Sequence, residues 1–308
     1  KMKKLFAISC LSVLAGLYSC KEVPVYIPAD IPGQEDTTYV LSSVETPQDK
    51  KYLIEELSGV QCVNCPAGIQ KLTEMSTTGE FANKMTIVSI HVGTFAWFIK
   101  DDTKPQYNSK QDFVVPGSDQ LLELVFGGDP GKPCASFDRL KISKQYNLLL
   151  PNYPQWSSYM SSARDSSATT APVNIHIETA EGATPDEFDI TVRLHYTEAL
   201  SAKQSLNIYL TESNIRDAMK YLAKTDTNYI FNHVLRKYIT PSNGKRILSD
   251  VTIEPGRVYE LRTKLTIDRN DKNQAFWNPA NMEVVAFVSS ADDNSKRVYQ
   301  SQYVHLKP

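Results

Sequence analysis

The sequence predicts an α/β domain followed by an all-β sandwich domain. Between residues 49 and 166, segments with the apolar pattern of strands alternate with segments whose apolar spacing suits a helix. From Pro172 onward the pattern changes, because apolar and polar residues alternate with a period of two in several segments. The Ser/Thr/Ala-rich stretch "ARDSSATTAP" separates the two patterns. We therefore expect an α/β domain at residues 49–166 and a β-sandwich at residues 170–308.

The first residues have the pattern of a secretory signal. Basic residues precede the apolar run "LFAISCLSVLAGLYSC", which is shorter than the about 20 apolar residues of a membrane-spanning helix. The end of this run, "LYSC", resembles a bacterial lipobox, in which the Cys is lipidated and becomes the mature N-terminus. We predict a lipoprotein signal peptide at residues 1–19 and lipid attachment at Cys20. The alternative is an ordinary cleaved signal with an incidental Cys.

Residues 20–48 are rich in Pro, Asp, Glu, Ser and Thr and show neither a helical nor a strand period. This composition favours an extended tether between the lipid anchor and the folded part of the chain. No other segment is long and apolar enough to cross a membrane, so we expect the lipid alone to attach the protein to the membrane.

Each element of the α/β domain follows from a local pattern. The segments "KKYLIEEL" (50–57) and "KMTIVSIHVG" (84–93) predict strands, and the stretch that starts at Pro66 predicts a helix. An irregular insertion at 94–118 is followed by "DQLLELVFG", which predicts a short helix. The segment "GDPGKPCASFDR" (128–139) leads into another strand, and "NYPQWSSYMSSARDSS" predicts the closing helix.

The sandwich is predicted from six segments with strand alternation, which are "VNIHIET", "EFDITVRLHY", "SLNIYLTE", "VYELRTKLTI", "MEVVAFVSS" and "KRVYQSQYVHL". Turn signals such as "EGATPD", "SNGK" and "DDNS" separate some of them. One helix-like segment, "NIRDAMKYLA", interrupts the series as a crossover or a loop.

Charge and cysteine content limit the function. The formal net charge is −2 and no basic stripe is present, so nucleic acid is not an expected partner. Of the five cysteines, Cys10 lies in the predicted signal and Cys20 would carry the lipid. The other three, Cys62, Cys65 and Cys134, would lie in an oxidising compartment outside the cytoplasm.

Cys62 and Cys65 form a CxxC motif, which has three interpretations. A structural zinc site needs four ligands, whereas the five histidines are scattered along the chain, so we expect no metal and no cofactor. A purely structural disulfide would close a very small loop and stabilise the fold little. A redox centre needs the first Cys at a strand-to-helix transition, where the helix dipole favours the thiolate. The sequence supplies that transition, with Cys62 as the exposed attacking thiol and Cys65 as the buried resolving thiol.

This arrangement resembles the thioredoxin fold, in which a CxxC opens the first long helix after a central strand. That fold also places a cis-Pro loop against the disulfide. The segment "GKPCASFDR" occupies the corresponding place, with Pro133 the best candidate and Pro130 a weaker one. Glu56 stands where thioredoxins carry a buried acid that helps proton transfer to the resolving thiol. Its other interpretation is an ordinary exposed strand residue.

The same resemblance places Lys132 and Gln61 in contact with the disulfide or its substrate. Lys132 precedes the predicted cis-Pro, where a cation would favour the thiolate. Gln61 replaces the Trp usual before the first Cys, and Val63 and Asn64 replace the familiar Gly-Pro. Cys134 follows the predicted cis-Pro and is either a buried strand residue or a third redox thiol.

More specifically, "YLIEELSGVQCVNCPAG" resembles the opening motif of a lipoprotein family of Bacteroides-type bacteria, the proteins related to the twenty-eight-kilodalton outer-membrane protein. The segments "PCASFDR" and "FNHVLRKYI" (231–239) resemble the Pro-led strand and the "HVLR" segment of that family. The resemblance implies an outer-membrane lipoprotein with an α/β thioredoxin-like domain followed by an all-β immunoglobulin-like sandwich. Some members are described as surface antigens or adhesins, so the resemblance leaves enzyme and binding protein open.

Two further groups have open roles. His91 lies in the strand "VSIHVG" and is either a core or edge residue or a neighbour of the CxxC. Phe95, Trp97 and Phe98 lie in the predicted insertion. These aromatic residues either cap the core or line a groove that receives an unfolded substrate.

Two functions are consistent with these observations. In the first, Cys62 attacks a substrate disulfide, or accepts a substrate thiolate when oxidised, Cys65 resolves the mixed disulfide, and Pro133 shapes the substrate strand. In the second, the CxxC disulfide is static and the sandwich of a non-enzymatic surface protein binds a host molecule, a glycan or an envelope partner. In both, the protein is anchored to the outer membrane, on its periplasmic or its cell-surface face.

Overall fold

The structure is a computed structural model, and it describes residues 33–142, 147–201, 203–292 and 295–307. The predicted signal peptide at 1–19 and the predicted lipidation site Cys20 lie outside these residues.

The described residues form a protein made mostly of β-strands. In chain order the strands are β1 (Glu35–Val40), β2 (Tyr52–Ser58), β3 (Met85–His91), β4 (Cys134–Phe137), β5 (Val173–Glu181), β6 (Glu187–Tyr196), β7 (Gln204–Glu212), β8 (Ile215–Tyr221), β9 (Lys224–Phe231), β10 (Val234–Tyr238), β11 (Lys245–Ile247), β12 (Arg257–Thr266), β13 (Met282–Ser290) and β14 (Val298–His305). The helices are α1 (Cys65–Thr77), α2 (Ser118–Leu121), which continues as a π-helical turn (Leu122–Phe126), and α3 (Trp156–Asp165). Short 3-10 turns span Gly79–Phe81, Pro105–Tyr107, Tyr153–Gln155, Gln274–Phe276 and Pro279–Asn281.

The N-terminal part has the predicted α/β order. Strand β2 lies between β3, which is parallel to it, and β4, which is antiparallel. Every residue of β2 and β3 is buried, as expected for strands that are covered on both faces. Helices α1 and α3 cover one of these faces, where Leu72 and Trp156 pack in one apolar cluster with Ile54 and Ile87.

The C-terminal part is a β-sandwich. A four-stranded antiparallel sheet, in the order β1-β12-β6-β5, faces strands β7 and β13. The alternation predicted from the sequence is clear in β6, where Phe188, Ile190, Val192 and Leu194 point into the core and the residues between them are more exposed. The period-two pattern therefore predicted both the strands and their inner faces.

The α/β part and the sandwich share one sheet. Strand β10 pairs antiparallel with β7 of the sandwich and parallel with β3 of the α/β part, where Val234 lies opposite Ser89. The eight-stranded sheet therefore has the order β14-β13-β7-β10-β3-β2-β4, with β11 paired to β7. The two predicted domains are thus adjacent in one continuous sheet.

Buried ion pairs lie where the two parts meet. The Lys50 ammonium is 2.8 Å from Asp138 Oδ2, and Lys50 also donates to the Val298 carbonyl of β14. The guanidinium of Arg139 bonds both carboxylate oxygens of Glu55, at 2.7 Å each, and also donates to the Tyr209 hydroxyl of β7. Burial makes such pairs costly to break, because removing one partner leaves an uncompensated charge in the interior.

Two sequence predictions need correction. The predicted tether at 20–48 contains β1, whose residues Glu35–Val40 pair with β12. Because β1 is an edge strand with exposed side chains, backbone hydrogen bonds hold it and no apolar alternation marks it in the sequence. The helix-like segment "NIRDAMKYLA" forms β8, which pairs with β9 as a hairpin.

Candidate functional site

The CxxC motif lies in the turn between β2 and α1. The turn is closed by hydrogen bonds from the Cys62 amide to the Gly59 carbonyl and from the Cys65 amide to the Cys62 carbonyl. Pro66 lies in the first turn of α1, where its missing N–H costs no helical hydrogen bond. Cys62 and Cys65 form a disulfide at this position. The predicted strand-turn-helix context is therefore confirmed.

The disulfide is almost completely buried. Cys62 is 5% exposed and Cys65 is fully buried. The order of burial agrees with the expectation, but the prediction that Cys62 is an exposed thiol was wrong. Cys62 is buried because residues that are distant from the CxxC in the sequence pack over it.

A set of apolar side chains, which we call the cover, packs in one cluster with the disulfide. The hairpin β8–β9 contributes Ile215, Ala218, Met219 and Phe231, and the predicted insertion contributes Ile99 and Phe113. The cover therefore consists of two segments, one of which belongs to the C-terminal half of the chain.

Hydrogen bonds fix the CxxC turn to both segments of the cover. The Lys220 amide donates to the Val60 carbonyl at 2.8 Å, and the Lys220 ammonium donates to Gln61 Oε1 at 3.1 Å. The Gln61 amide donates to the Phe95 carbonyl, and Gln61 Nε2 donates to the Trp97 carbonyl. Gln61, predicted to contact substrate, therefore uses its side chain within the protein.

Glu56 is a buried acid on the face of β2 that α1 covers. It is fully buried, and the Ser89 hydroxyl donates to its Oε2 at 2.7 Å, whereas Oε1 has no hydrogen-bond partner among the described residues. Burial raises the pKa of the Glu56 carboxyl to about 7. Glu55 points to the opposite face and pairs with Arg139. The interpretation of Glu56 as an exposed strand residue was therefore wrong.

The loop before β4 lies against the first turn of α1. The Lys132–Pro133 peptide bond is cis, as expected from the sequence. A Cβ added to Gly68 of α1 would lie 3.0 Å from the Pro133 Cβ, so this helix and the loop are in close contact. The Lys132 side chain is buried and paired with Asp129.

His91 is a further buried polar residue of this region. Its ring lies 5.1 Å from Phe113 and 5.8 Å from Phe231, centroid to centroid, and neither ring nitrogen has a hydrogen-bond partner among the described residues. Burial, together with the charges of Arg236 and Lys132, lowers the pKa of His91 to about 3. His91 is therefore a buried, neutral imidazole that contacts Phe113 and Phe231 of the cover, which agrees with the interpretation as a core residue.

Cys134 is fully buried, and burial raises the pKa of its thiol well above the usual range. The fraction of reactive thiolate at this position is therefore very small. This environment agrees with a buried strand residue and not with a third redox thiol.

An exposed aromatic edge borders the CxxC turn. Phe95, Trp97 and Phe98 are 47%, 63% and 44% exposed, and Val63 of the CxxC turn is 41% exposed. The carbonyls of Phe95 and Trp97 accept the hydrogen bonds of Gln61, so the edge lies directly beside the turn. One interpretation of the sequence expected these aromatic side chains to cap the core. Their exposure contradicts that interpretation.

Comparison with known proteins gives a family and a fold. None of the curated proteins matches the sequence. HBP35 of Porphyromonas gingivalis is similar in structure, with a TM-score of 0.61 and 15% sequence identity over 84% of this chain and 76% of that chain. In the described part of the chain, no helix has the length and apolar character needed to cross a bilayer.

The family model described as "Outer membrane protein Omp28" matches residues 126–308, which is more than half of the chain. The matched residues include Pro133 and every strand of the sandwich except β1, and they exclude Glu56 and the CxxC. The chain therefore belongs to the Omp28 family of outer membrane proteins.

Proposed function

We propose that the protein is a lipid-anchored lipoprotein of the outer membrane whose Cys62–Cys65 pair exchanges thiols and disulfides with envelope proteins. In this proposal residues 49–166 form a thioredoxin-like domain with an insertion at 94–118, and residues 170–308 form an immunoglobulin-like sandwich. Residues 1–19 are a signal peptide, Cys20 carries the lipid, and the residues between Cys20 and β1 are the tether.

The observation that carries this proposal is the environment of Glu56. A buried carboxyl group without full hydrogen bonding destabilises a fold, and a static disulfide has no use for it. Thiol–disulfide exchange does have a use for it, because Cys65 must gain or lose a proton deep in the protein. A carboxyl with a pKa of about 7 can donate or accept that proton near neutral pH.

The proposed exchange starts from the disulfide seen in the structure. A substrate thiolate attacks Cys62 Sγ, the Cys62–Cys65 bond breaks, and Cys65 leaves as a thiolate that takes the proton of Glu56. A second substrate thiolate then attacks the mixed disulfide, so the substrate leaves as a disulfide and Cys62 and Cys65 remain reduced. The reverse sequence reduces a substrate disulfide, with Cys62 as the attacking thiolate.

Access to Cys62 requires the cover to move. The hairpin β8–β9 can lift only if the Lys220–Val60 and Lys220–Gln61 hydrogen bonds open. The aromatic edge formed by Phe95, Trp97 and Phe98 then offers an apolar surface beside Cys62 for an unfolded segment of the substrate. Pro133 is proposed to shape that segment, and Lys132 and Gln61 to contact it.

A second candidate function is that of a surface binding protein with a static disulfide. The near-complete burial of Cys62 and Cys65 favours it, because a buried disulfide is protected from thiols in solution. In this case the sandwich would carry the ligand-binding surface.

Trapping of a mixed disulfide distinguishes the two candidates. The Cys65→Ser variant keeps the attacking thiol and lacks the resolving thiol, and Cys62→Ser is its matched control. We expect Cys65→Ser to form a stable mixed disulfide at Cys62 with oxidised glutathione and with a scrambled test protein, as located by peptide mass spectrometry. No adduct in Cys65→Ser, together with a wild-type disulfide that glutathione does not reduce under native conditions, would favour the static disulfide.

A further inference from the structure

Three potential metal ligands meet on the outer face of the four-stranded sheet. Glu45 lies in the segment between β1 and β2, His176 lies on β5, and His195 lies on β6. Their ligand atoms all lie within 4.8 Å of one another. Glu45 Oε2 is 2.9 Å from His176 Nε2, and Glu45 Oε1 is 2.7 Å from His195 Nδ1. This cluster is separate from the CxxC, and metal binding to it does not involve the proposed thiol chemistry.

The sheet register explains why the two histidines meet. Strands β5 and β6 are antiparallel neighbours, and Asn174 lies opposite His195, so His176 is the diagonal neighbour of His195 on the same face. The two rings make an edge-to-face contact with their centroids 4.9 Å apart. The sequence spacing of the histidines suggested no metal site, because only the hairpin pairing brings them together.

A second layer of hydrogen bonds holds the Glu45 carboxylate in place. The Asn174 side chain, from a residue that is 1% exposed, donates to Glu45 Oε2 and to the Thr46 carbonyl, at 2.9 Å each, and accepts from the Gln48 amide at 2.7 Å. The Gln48 side chain also bonds both backbone groups of Ile175. Such outer partners fix the orientation of first-layer ligands in metal sites.

The His195 nitrogen is close to the carboxylate but is not aligned with it. Nδ1 of His195 is shielded from solvent and makes no hydrogen bond of acceptable geometry, although it lies 2.7 Å from Glu45 Oε1. An ion-pair interpretation leaves this nitrogen poorly satisfied. A bound cation would satisfy it, because the lone pair of the nitrogen would then coordinate the ion.

We propose that Glu45, His176 and His195 bind a Zn²⁺ ion, with water at the fourth position. Two imidazoles and one carboxylate form a known set of zinc ligands, and two nitrogen ligands disfavour Mg²⁺ and Ca²⁺. Ligand atoms of tetrahedral Zn²⁺ lie about 3.3 Å apart, given bonds of about 2.0 Å. The two carboxylate–imidazole contacts of 2.9 and 2.7 Å must therefore lengthen slightly, and the three ligand atoms, which lie within 4.8 Å of one another, must converge on one centre. The side chains of His176 and Glu45 are 39% and 34% exposed, which leaves a path for the ion and the water.

The bound ion would connect the N-terminal segment to the sandwich. Glu45 lies between β1 and β2, and both histidines belong to the sandwich, so the ion would add a link to the β1–β12 pairing and to the Asn174 and Gln48 hydrogen bonds. Zn²⁺ is then expected to stabilise the folded chain, because it binds the folded and not the unfolded state.

Titration of the chelator-treated full-length protein with Zn²⁺ alone tests the proposal. We expect calorimetry to show one Zn²⁺ per chain, a rise in the unfolding temperature, and at least tenfold weaker binding in Glu45→Gln and in His176→Gln. His305→Gln is the matched control, since His305 belongs to another group of two histidines beside a carboxylate, in which Glu283 lies 3.8 Å from both His305 and His233. This variant should bind Zn²⁺ like the wild type.

Replacing Zn²⁺ with Co²⁺ identifies the ligands. We expect the absorption bands of tetrahedral Co²⁺ without a thiolate charge-transfer band, and we expect these tetrahedral bands to be weakened in Glu45→Gln. Circular dichroism of the metal-free variants checks that they fold. The proposal is overturned if the wild type binds no Zn²⁺, if both variants bind as tightly as the wild type, or if the Co²⁺ spectrum shows thiolate ligation.

Discussion

The main chain of Lys220 in β8 is hydrogen-bonded to the main chain of Val60 in the CxxC turn, with 2.8 Å between nitrogen and oxygen. This bond joins the C-terminal half of the chain to the turn that carries Cys62. It is independent of side-chain identity, so the hairpin β8–β9 stays in place unless the backbone itself moves. The reactivity of the disulfide therefore depends on how often the hairpin opens.

Loosening the cover should expose the disulfide to thiols. Phe231 is 1% exposed and contacts Phe113 and Tyr229, with ring centroids 4.9 and 4.7 Å apart. A buried Phe→Ala change typically costs about 3–5 kcal/mol. If about 1.4 kcal/mol of that cost acts on hairpin opening, Phe231→Ala makes the disulfide react about tenfold faster. The rate is measured by thiol labelling after timed exposure to dithiothreitol under native conditions.

The matched control is Leu222→Ala, at the tip of the same hairpin, where Leu222 is 72% exposed. This change removes a similar side chain without touching the cover, so its rate should equal that of the wild type. Equal rates for Phe231→Ala and the wild type would show that the hairpin does not limit access to the disulfide.

Glu56 should make stability depend on pH. Its pKa is raised from the ordinary 4.5 to about 7, so the folded chain keeps a proton that the unfolded chain has lost between these values. The contribution of Glu56 to the free energy of unfolding is therefore most favourable below pH 4.5. This contribution falls by about 3 kcal/mol as the pH rises through 7. The variant Glu56→Gln does not titrate. We expect its stability relative to the wild type to increase by about that amount between pH 4 and pH 8.

Denaturant unfolding of both chains across this pH range provides the measurement. His91 acts in the opposite direction, because its pKa is lowered to about 3 and its stabilisation is lost as the pH falls below 6.5. His91 is present in both chains, so its effect cancels in the difference between them. A difference that does not change with pH would contradict the raised pKa of Glu56.

The CxxC turn could be predicted because its signals are local. The strand before the turn is marked by a continuous apolar run and the start of α1 by Pro66, each within a few residues of the feature that it predicts. The cis peptide at Pro133 has no such local signal, and it was expected only from the resemblance to the thioredoxin fold.

The cover could not be predicted in the same way. Ile215, Ala218 and Met219 have the spacing of a helix face, and this spacing suggested a helix. In the structure, the pairing register of β8 shifts between Asp217 and Met219, so successive side chains of β8 are buried without strict alternation. An irregular strand and a helix therefore leave the same pattern in the sequence.

Removing one partner of the buried Glu55–Arg139 pair should strongly destabilise the protein. Both residues are nearly inaccessible, and Glu55→Ala leaves the guanidinium without its carboxylate. We expect a loss of about 3–5 kcal/mol in the free energy of unfolding, measured by denaturant titration. Asp189→Ala is the control, because the Lys264–Asp189 pair is exposed and its removal should change the stability little. Similar losses in the two variants would show that burial does not decide the strength of these pairs.

Gly59 should tolerate no side chain. A Cβ at this position would lie 2.3 Å from the Phe95 carbonyl oxygen and 2.8 Å from the Ala96 nitrogen, and backbone atoms cannot easily give way. We expect Gly59→Ala to lower the free energy of unfolding by about 1–3 kcal/mol or more and to displace the aromatic edge. Quenching of the Trp fluorescence by iodide follows that displacement, because Trp97 is exposed whereas Trp156 and Trp277 are buried.

Gly127→Ala is the comparison for Gly59→Ala. Gly127 has a φ of +74° and open space around it, so Ala meets only backbone strain of about 1–2 kcal/mol. Its fluorescence should match that of the wild type. A Gly59→Ala variant with unchanged stability and fluorescence would contradict the close approach of the two loops.

The residues that match the Omp28 family contain only part of the sheet that the α/β part and the sandwich share. The matched residues 126–308 contain β4 without its partner β2, β10 without its partner β3, and β12 without its partner β1. A fragment limited to these residues would expose the unpaired edges of these three strands and invite pairing between copies, so we expect it to aggregate.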